Sequence, residues 1–321
     1  MVRFVGRKES SCNIIRFIDH MINNIDQVII SWRGGVLTYR EALRMKASVA
    51  GYARATDLQH AIKLLESADG MARVLAGGQS LVAAMNMRLS AGDLLVDISR
   101  LSELRGVTDE GDTIRIGALT RHVEVGANAL VREHAPLLAE AVKVIAHAAI
   151  RNRGTIGGAI AHADPAAEFP ACVLALAAKL HIMGPDGERT ITVEDFFQGL
   201  FETDLEAEEV LTAISIPKAE ADERQVLQEV TRRSGDYALA GLCLVKRQAG
   251  NRITMLSVGD LPELAHSAMA KLDAGDLEGA VSALRAEIEP SSDTKASASY
   301  RRHIAGVLLR RAVDQMTGDA R

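Results

Sequence analysis

"VLAGGQSLVAAMNMRL", residues 74–89, decides how this chain is read. An apolar run ends in two adjacent glycines, two polar residues come next, and apolar residues then resume at helical spacing. The reading is a strand over "RVLA", a glycine turn, a helix over 80–89 and a second strand over "DLLVDIS", which together make a compact βαβ unit. Gly77 and Gly78 let the backbone reach positive φ and let a ligand approach without a Cβ in the way. Ser80 stands where the helix begins, so free N–H groups and the positive end of the helix dipole face an anion there. The side chains of Gln79 and Ser80 add donors.

A second loop of the same kind, "RGTIGGAIAHADP", occupies residues 153–165. It pairs Gly157 with Gly158 and carries a hydroxyl at Thr155. Either loop alone reads first as a plain structural turn. Two of them, some eighty residues apart, fit one diphosphate gripped from both sides. Neither matches G-x-G-x-x-G nor G-x-x-x-x-G-K-[ST], so a Rossmann site and a P-loop are both excluded.

The bulk composition narrows the class. The chain has 321 residues, 48% hydrophobic and 25% charged, which is enough for two domains with sizeable cores. With 3% aromatic residues and a net charge of −5, it shows no footprint for nucleic acid. No long uncharged apolar stretch suggests a transmembrane helix, and the N-terminus lacks a secretory pattern, so a cytoplasmic location is expected. Cys12, Cys172 and Cys243 form no C-x-x-C pair, so the chain has no ligand set for zinc or an iron–sulfur cluster; each is read as a small buried hydrophobe. His122, His147 and His162 lack metal-ligand spacing, and no metal site is assigned. His162 and Asp164 are read mainly as structural, Arg151 and Arg153 as offsetting diphosphate charge or facing solvent or a subunit, and Met85 and Met87 as packing residues.

Residues 1–44 differ in composition from the rest of the chain and are read as an N-terminal extension, with an outer helix as the other reading. From Met45 a self-contained pattern begins. Thr56 is placed as the cap of a helix with Ala61, Ile62, Leu64 and Leu65 on one face. "TIRIGAL" is a strand, "PLLAEAVKVIAH" a helix with Pro136 at its first position, and "GPDG" at 184–187 a hairpin turn. The charged stretch "KAEADERQ" reads as a linker between domains at 45–218 and 225–321. Beyond it the pattern is antiparallel, and a final helix places Ile304, Val307, Leu308 and Ala312 on one stripe with arginines opposite.

"AGGQSL" at 76–81, "RNRGTIGGAIAHADPAAEFPA" at 151–171, "RSGDYALAG" at 233–241 and "SASYRRHIAGVLLRRA" at 297–312 resemble the flavoprotein subunit of molybdenum hydroxylases. That family includes the carbon monoxide dehydrogenase medium chain and the xanthine dehydrogenase FAD subunit. The resemblance implies an α+β fold: a two-subdomain, PCMH-type FAD-binding domain at 45–218 and a C-terminal domain of three antiparallel strands plus helices at 225–321. It implies FAD as cofactor, with Ala76, Gly77, Gly78, Gln79 and Ser80 and then Thr155, Ile156, Gly157, Gly158 and Ala159 around the pyrophosphate. Ile145 matches an apolar position near the flavin, Glu168 an acidic position that contacts FAD, and Tyr237 an aromatic beside the isoalloxazine. No residue of the chain is given a catalytic role. The implied partners are a small iron–sulfur subunit and a large molybdopterin subunit, in a heterotrimer that dimerises, and the implied activity is electron relay to an external acceptor. A stand-alone FAD-dependent reductase and a non-catalytic nucleotide-binding assembly protein are the alternatives. Two departures stand out. Ala159 replaces the usual Ser or Asn, removing a donor worth about 1 kcal/mol. "NRITMLSVGD" reads as a shortened strand.

Overall fold

The structure is a computed structural model that describes residues 30–32, 35–37 and 51–318, apart from 69, 88 and 90–92. The reading of 1–44 as an extension, and Cys12 with it, lies largely outside these residues. Within that segment, β1 (Ile30–Trp32) and β2 (Gly35–Leu37) form an antiparallel pair.

Three strands, β3 (Gly51–Arg54), β4 (Ala72–Leu75) and β5 (Leu94–Asp97), make a small parallel sheet in the order β3-β5-β4. Parallel neighbours require a crossover. Here the helix Leu58–Glu66 supplies one and the helix Leu81–Asn86 the other. The first helix buries Ala61, Ile62 and Leu65 beneath the sheet. Its cap is Asp57, whose carboxylate accepts the His60 N–H at 2.8 Å, while the Thr56 hydroxyl donates to Asp57. The sequence reading placed the cap one residue early because Thr and Asp are both good caps. The second helix is shorter than the 80–89 expected. Met85 is buried, but Met87 is 70% exposed, since it falls beyond the helix and is not a packing residue.

The second layer is a five-stranded antiparallel sheet. Its strands β6 (Val107–Asp109), β7 (Thr113–Gly117), β8 (Lys179–Gly184), β9 (Gly187–Thr192) and β12 (Val210–Pro217) run in the order β6-β7-β12-β8-β9. The "GPDG" turn closes β8 on β9 with Gly184 opposite Gly187. Between β9 and β12 the hairpin β10 (Phe197–Gly199) and β11 (Glu202–Thr203) stands apart from the sheet. Strand β12 is central, and all but its last residue is buried. Its apolar side chains meet the helices Pro136–Val144, Ile156–His162 and Glu168–Ala175 in one core.

The last layer is an antiparallel sheet of β13 (Arg224–Val230), β14 (Ala240–Arg247), β15 (Gly250–Leu256) and the two-residue β16 (Glu263–Leu264). Where three strands were expected, there are four. β15 pairs along its full length with β14, from Gly250 opposite Arg247 to Leu256 opposite Gly241. The helix Ala298–Thr317 covers this sheet, burying Ile304, Leu308 and Ala312 and leaving Val307 half-buried. Its arginines are not all outward. Arg301 is buried and donates to the carbonyls of Leu239 and Ser257 and to the Asp293 carboxylate.

The helix Glu168–Ala175 joins the two antiparallel layers, and every one of its residues is buried. Arg252 reaches across from β15 to its C-terminal carbonyls, Leu174 O at 2.7 Å and Ala175 O at 3.1 Å. A cation there satisfies carbonyls the helix leaves open and complements its dipole. At the other end of the same helix, Glu168 faces a cavity.

Candidate functional site

The first glycine loop leaves the end of β4 and turns at Gly78, whose φ of +71° suits glycine. Among the described residues, no protein acceptor meets the backbone N–H groups of Gly77, Gly78, Gln79, Ser80 and Leu81. The Gln79 side chain folds back to donate to Gly77 O at 3.0 Å. A run of open amides where a helix begins is a ready cradle for an anion.

The second loop is bonded into the fold. Its amides are already used by the fold. Ile156 N–H donates to Thr120 O at 3.0 Å, Gly157 N–H to Ala118 O at 2.9 Å, and Ala159 N–H to Thr155 O at 3.0 Å. Gly158 N–H donates to the Thr155 hydroxyl, which caps the helix Ile156–His162. Ile156 is fully buried in the core, and its side chain does not line the cavity. The side chain follows the helix inward while the backbone is pinned to the end of β7. This loop is a wall against which the first loop rests. A Cβ on Gly77 would lie 2.3 Å from Arg153 O and 2.9 Å from Gly154 Cα, and one on Gly157 would lie 2.4 Å from the Ala118 Cβ. Those glycines are required by close backbone contact.

The two loops border a cavity of about 970 Å³, at the top of the range of roughly 300–1,000 Å³ usual for cofactor and ligand sites. Ala76, Gly77, Gly78, Gln79, Ser80, Ile145, Thr155, Gly157, Gly158, Ala159, Glu168 and Tyr237 all line it. The structure thus brings together every candidate FAD residue except the Ile156 side chain, whereas Arg151 and Arg153 do not line the cavity. Arg151 is not free to meet a diphosphate: it donates to Ile145 O and Ala146 O, both at 2.9 Å, and so holds a bend in which Ala146 takes φ +42°. Tyr237 is half exposed. Burial and then the neighbouring Asp164 raise its phenol above the usual range. Sequence reading missed Leu205 and Phe201, which also line the cavity. Phe201, at the tip of the β10–β11 hairpin with φ +59°, stacks against His162 at 5.1 Å. The only signal for Phe201 was the apolar run "FFQGLF" at 196–201, which carries no motif, and Leu205 stands alone among polar residues in "ETDLE".

His122 sits behind the second loop, its ring edge-on to Phe169 at 4.9 Å, with neither ring nitrogen hydrogen-bonded. Burial lowers its pKa to about 4; the Thr155 carbonyl favours the proton but lies outside hydrogen-bonding geometry. The unfolded chain has an ordinary histidine near pH 6.5, so the native state is the one that binds fewer protons. Stability is therefore intact above about pH 6.5 and falls toward pH 4, by up to about 1.4 kcal/mol per pH unit. Between pH 6.5 and 5 the wild type is expected to lose about 2 kcal/mol more than His122→Leu in urea unfolding. Parallel losses in the two proteins would contradict this.

Residues 44–219 match the family of FAD binding domains in molybdopterin dehydrogenases. The chain belongs to that family. Its cofactor is FAD. Residues 225–316 match the C-terminal domain of the CO dehydrogenase flavoprotein. The glyceraldehyde dehydrogenase medium chain of Sulfolobus acidocaldarius is 37% identical over 275 residues, covering 83% of this chain and 97% of that one. The carbon monoxide dehydrogenase medium chain of Hydrogenophaga pseudoflava is 35% identical over 265 residues, covering 79% and 92%. A solved structure of carbon monoxide dehydrogenase from Hydrogenophaga pseudoflava superposes with a TM-score of 0.81 at 36% identity, covering 84% of this chain and 97% of that one. These relatives are subunits of oxidoreductase complexes, and no helix among the described residues is long and apolar enough to cross a membrane.

Proposed function

We propose that this chain is the FAD-carrying relay subunit of a cytoplasmic molybdenum hydroxylase. In this reading it receives electrons from iron–sulfur centres on a small subunit, which are filled by a large molybdopterin subunit, and passes them to an external acceptor. The observation that carries the proposal is the row of open amides at Gly77–Leu81, held against the Arg153–Gly154 backbone at the mouth of one large cavity. The residues present fit FAD. The open amides suit a diphosphate, and the volume and the mixed apolar and polar walls suit a dinucleotide. Once bound, FAD supplies the redox chemistry.

The chain's own residues then bind and orient. The first loop holds the diphosphate through backbone N–H groups. The second loop, stiffened by its internal hydrogen bonds, fixes the position of the first. Ile145 closes the cavity on an apolar side, and Glu168 and Tyr237 line it where the second loop meets the C-terminal domain. The names of the relatives, medium chains of carbon monoxide and glyceraldehyde dehydrogenases, support partner subunits. The absence of a C-x-x-C motif from the sequence supports iron–sulfur centres on another chain.

The test uses the complex isolated from its native source. Molybdenum, iron and FAD are expected together. After mild removal of FAD, substrate is still expected to bleach the iron–sulfur absorbance, while reduction of an added dye stops until FAD is returned. A chain that runs alone, without metals, and reduces a substrate by itself would contradict the proposal.

A further inference from the structure

We propose that Glu168 enters the cofactor complex as a neutral carboxylic acid that donates its O–H to the flavin nucleotide, so that loss of this proton drives the cofactor out. The inference deepens the reading that the cavity holds FAD and rests on it.

The geometry comes first. Glu168 is 8% exposed, lines the cavity, and has no side-chain partner among the described residues beyond its own backbone N–H. The groups around it are acidic or neutral. Asp164 approaches from the turn after the helix Ile156–His162, and Glu229 from β13. The Tyr237 phenol stands beside Asp164. One turn along, Cys172 meets Cys243 of β14 with sulfurs 3.8 Å apart, both buried thiols. The cations on neighbouring elements are engaged elsewhere. Lys143 pairs with Glu140 in solvent, Arg151 holds the Ile145 and Ala146 carbonyls, and Arg252 holds the far end of the helix and Glu194. His162 packs on Phe201, and Glu263 of β16 stands with Leu174 at the other end of the helix, away from this cavity.

A carboxylate at this position would be desolvated beside two other carboxyls with no counterion. Burial, and after it Glu229 and Asp164, raises Glu168 to about 8, against only its own N–H. The diphosphate brings further negative charge into a cavity whose one described arginine or lysine, Arg73, is held by Asp93 at 3.2 Å. Both effects favour the neutral form in the complex. A neutral carboxyl has an O–H to donate; a carboxylate accepts only.

The competent fraction of the free chain then sets the apparent affinity. For a group titrating at about 8, FAD is expected to bind about 30-fold more weakly at pH 9.5 than at pH 7. Calorimetry at pH 9 in buffers of different ionisation enthalpy is expected to show uptake of about one proton per FAD. Glu168→Gln donates from an amide at any pH, so its affinity is expected to stay level across this range. The variant also controls for ionisation of FAD itself. The wild-type profile and the proton count stand without the variant if it folds poorly. A flat wild-type profile with no proton uptake would overturn the proposal, as would a Glu168→Gln profile that keeps the slope. Failure of the wild type to bind FAD at any pH is a different result: it removes the FAD reading and this inference with it.

Discussion

A Gly77→Ala chain is expected to emerge from purification with most of its flavin lost. The added Cβ would sit 2.3 Å from Arg153 O and 2.9 Å from Gly154 Cα. Both are backbone atoms, so no rotamer change relieves the overlap. Arg153 and Gly154 are themselves tied to Ile150 O by their N–H groups, at 3.0 and 2.7 Å. The first loop must therefore move off the wall and take its open amides with it. Overpacking of this kind costs about 1–3 kcal/mol. Where the displaced atoms are the ligand's donors, that becomes roughly a 10- to 100-fold loss of affinity. The ratio of flavin to protein absorbance reads the effect, with far-UV circular dichroism showing that the fold persists. Gly111→Ala is the control. It strains a residue at φ +80° on an open turn with nothing within 4 Å, so it should cost stability but no flavin.

Glu223→Ala is expected to be the most destabilising single substitution at the junction of the two domains. The sequence reading took "KAEADERQ" for a charged linker, because four of its eight residues are acidic or basic before Arg224. The structure buries its centre. The Glu223 side chain has 0% exposure and accepts from Arg247 Nε at 2.9 Å and from Gln225 Nε2 at 2.6 Å. Arg247 also reaches Leu176 O in the first domain, and Gln225 binds His134 O and the Leu137 N–H. Removing the carboxylate strands a buried guanidinium, which costs about 3–5 kcal/mol. For a chain of this size that is a fall in Tm of about 10 °C. Thermal unfolding monitored by circular dichroism measures it. A shift within error of wild type would mean the junction is solvated, as the linker reading had it.

Much of the fold was legible because its signals are local. The "GPDG" hairpin, Pro136 at a helix start and the mostly apolar run of β12 each reflect a constraint carried by adjacent residues. The two glycine loops were legible for the same reason, and their meeting in space came from the resemblance and from the shared demand for glycine. What failed was long-range. Nothing near Ile156 in sequence says that its amide faces Thr120 O, so the sequence does not show that this loop's amides are bonded within the fold. Arg301 reads as a surface arginine on a helical wheel, yet three partners draw it into the core. Phe201 and Leu205 became cavity residues only through the placement of a hairpin between two layers.

The central claim is that backbone amides at Gly77–Leu81 hold a diphosphate. Its most direct test is to titrate the cofactor-free chain with FAD and with FMN and to monitor quenching of flavin fluorescence. FMN shares the isoalloxazine but ends in a single phosphate. Losing even two charge-assisted amide hydrogen bonds costs about 3 kcal/mol or more, so FAD is expected to bind at least about 100-fold more tightly. Equal affinity for the two, in a properly folded chain, would contradict the account.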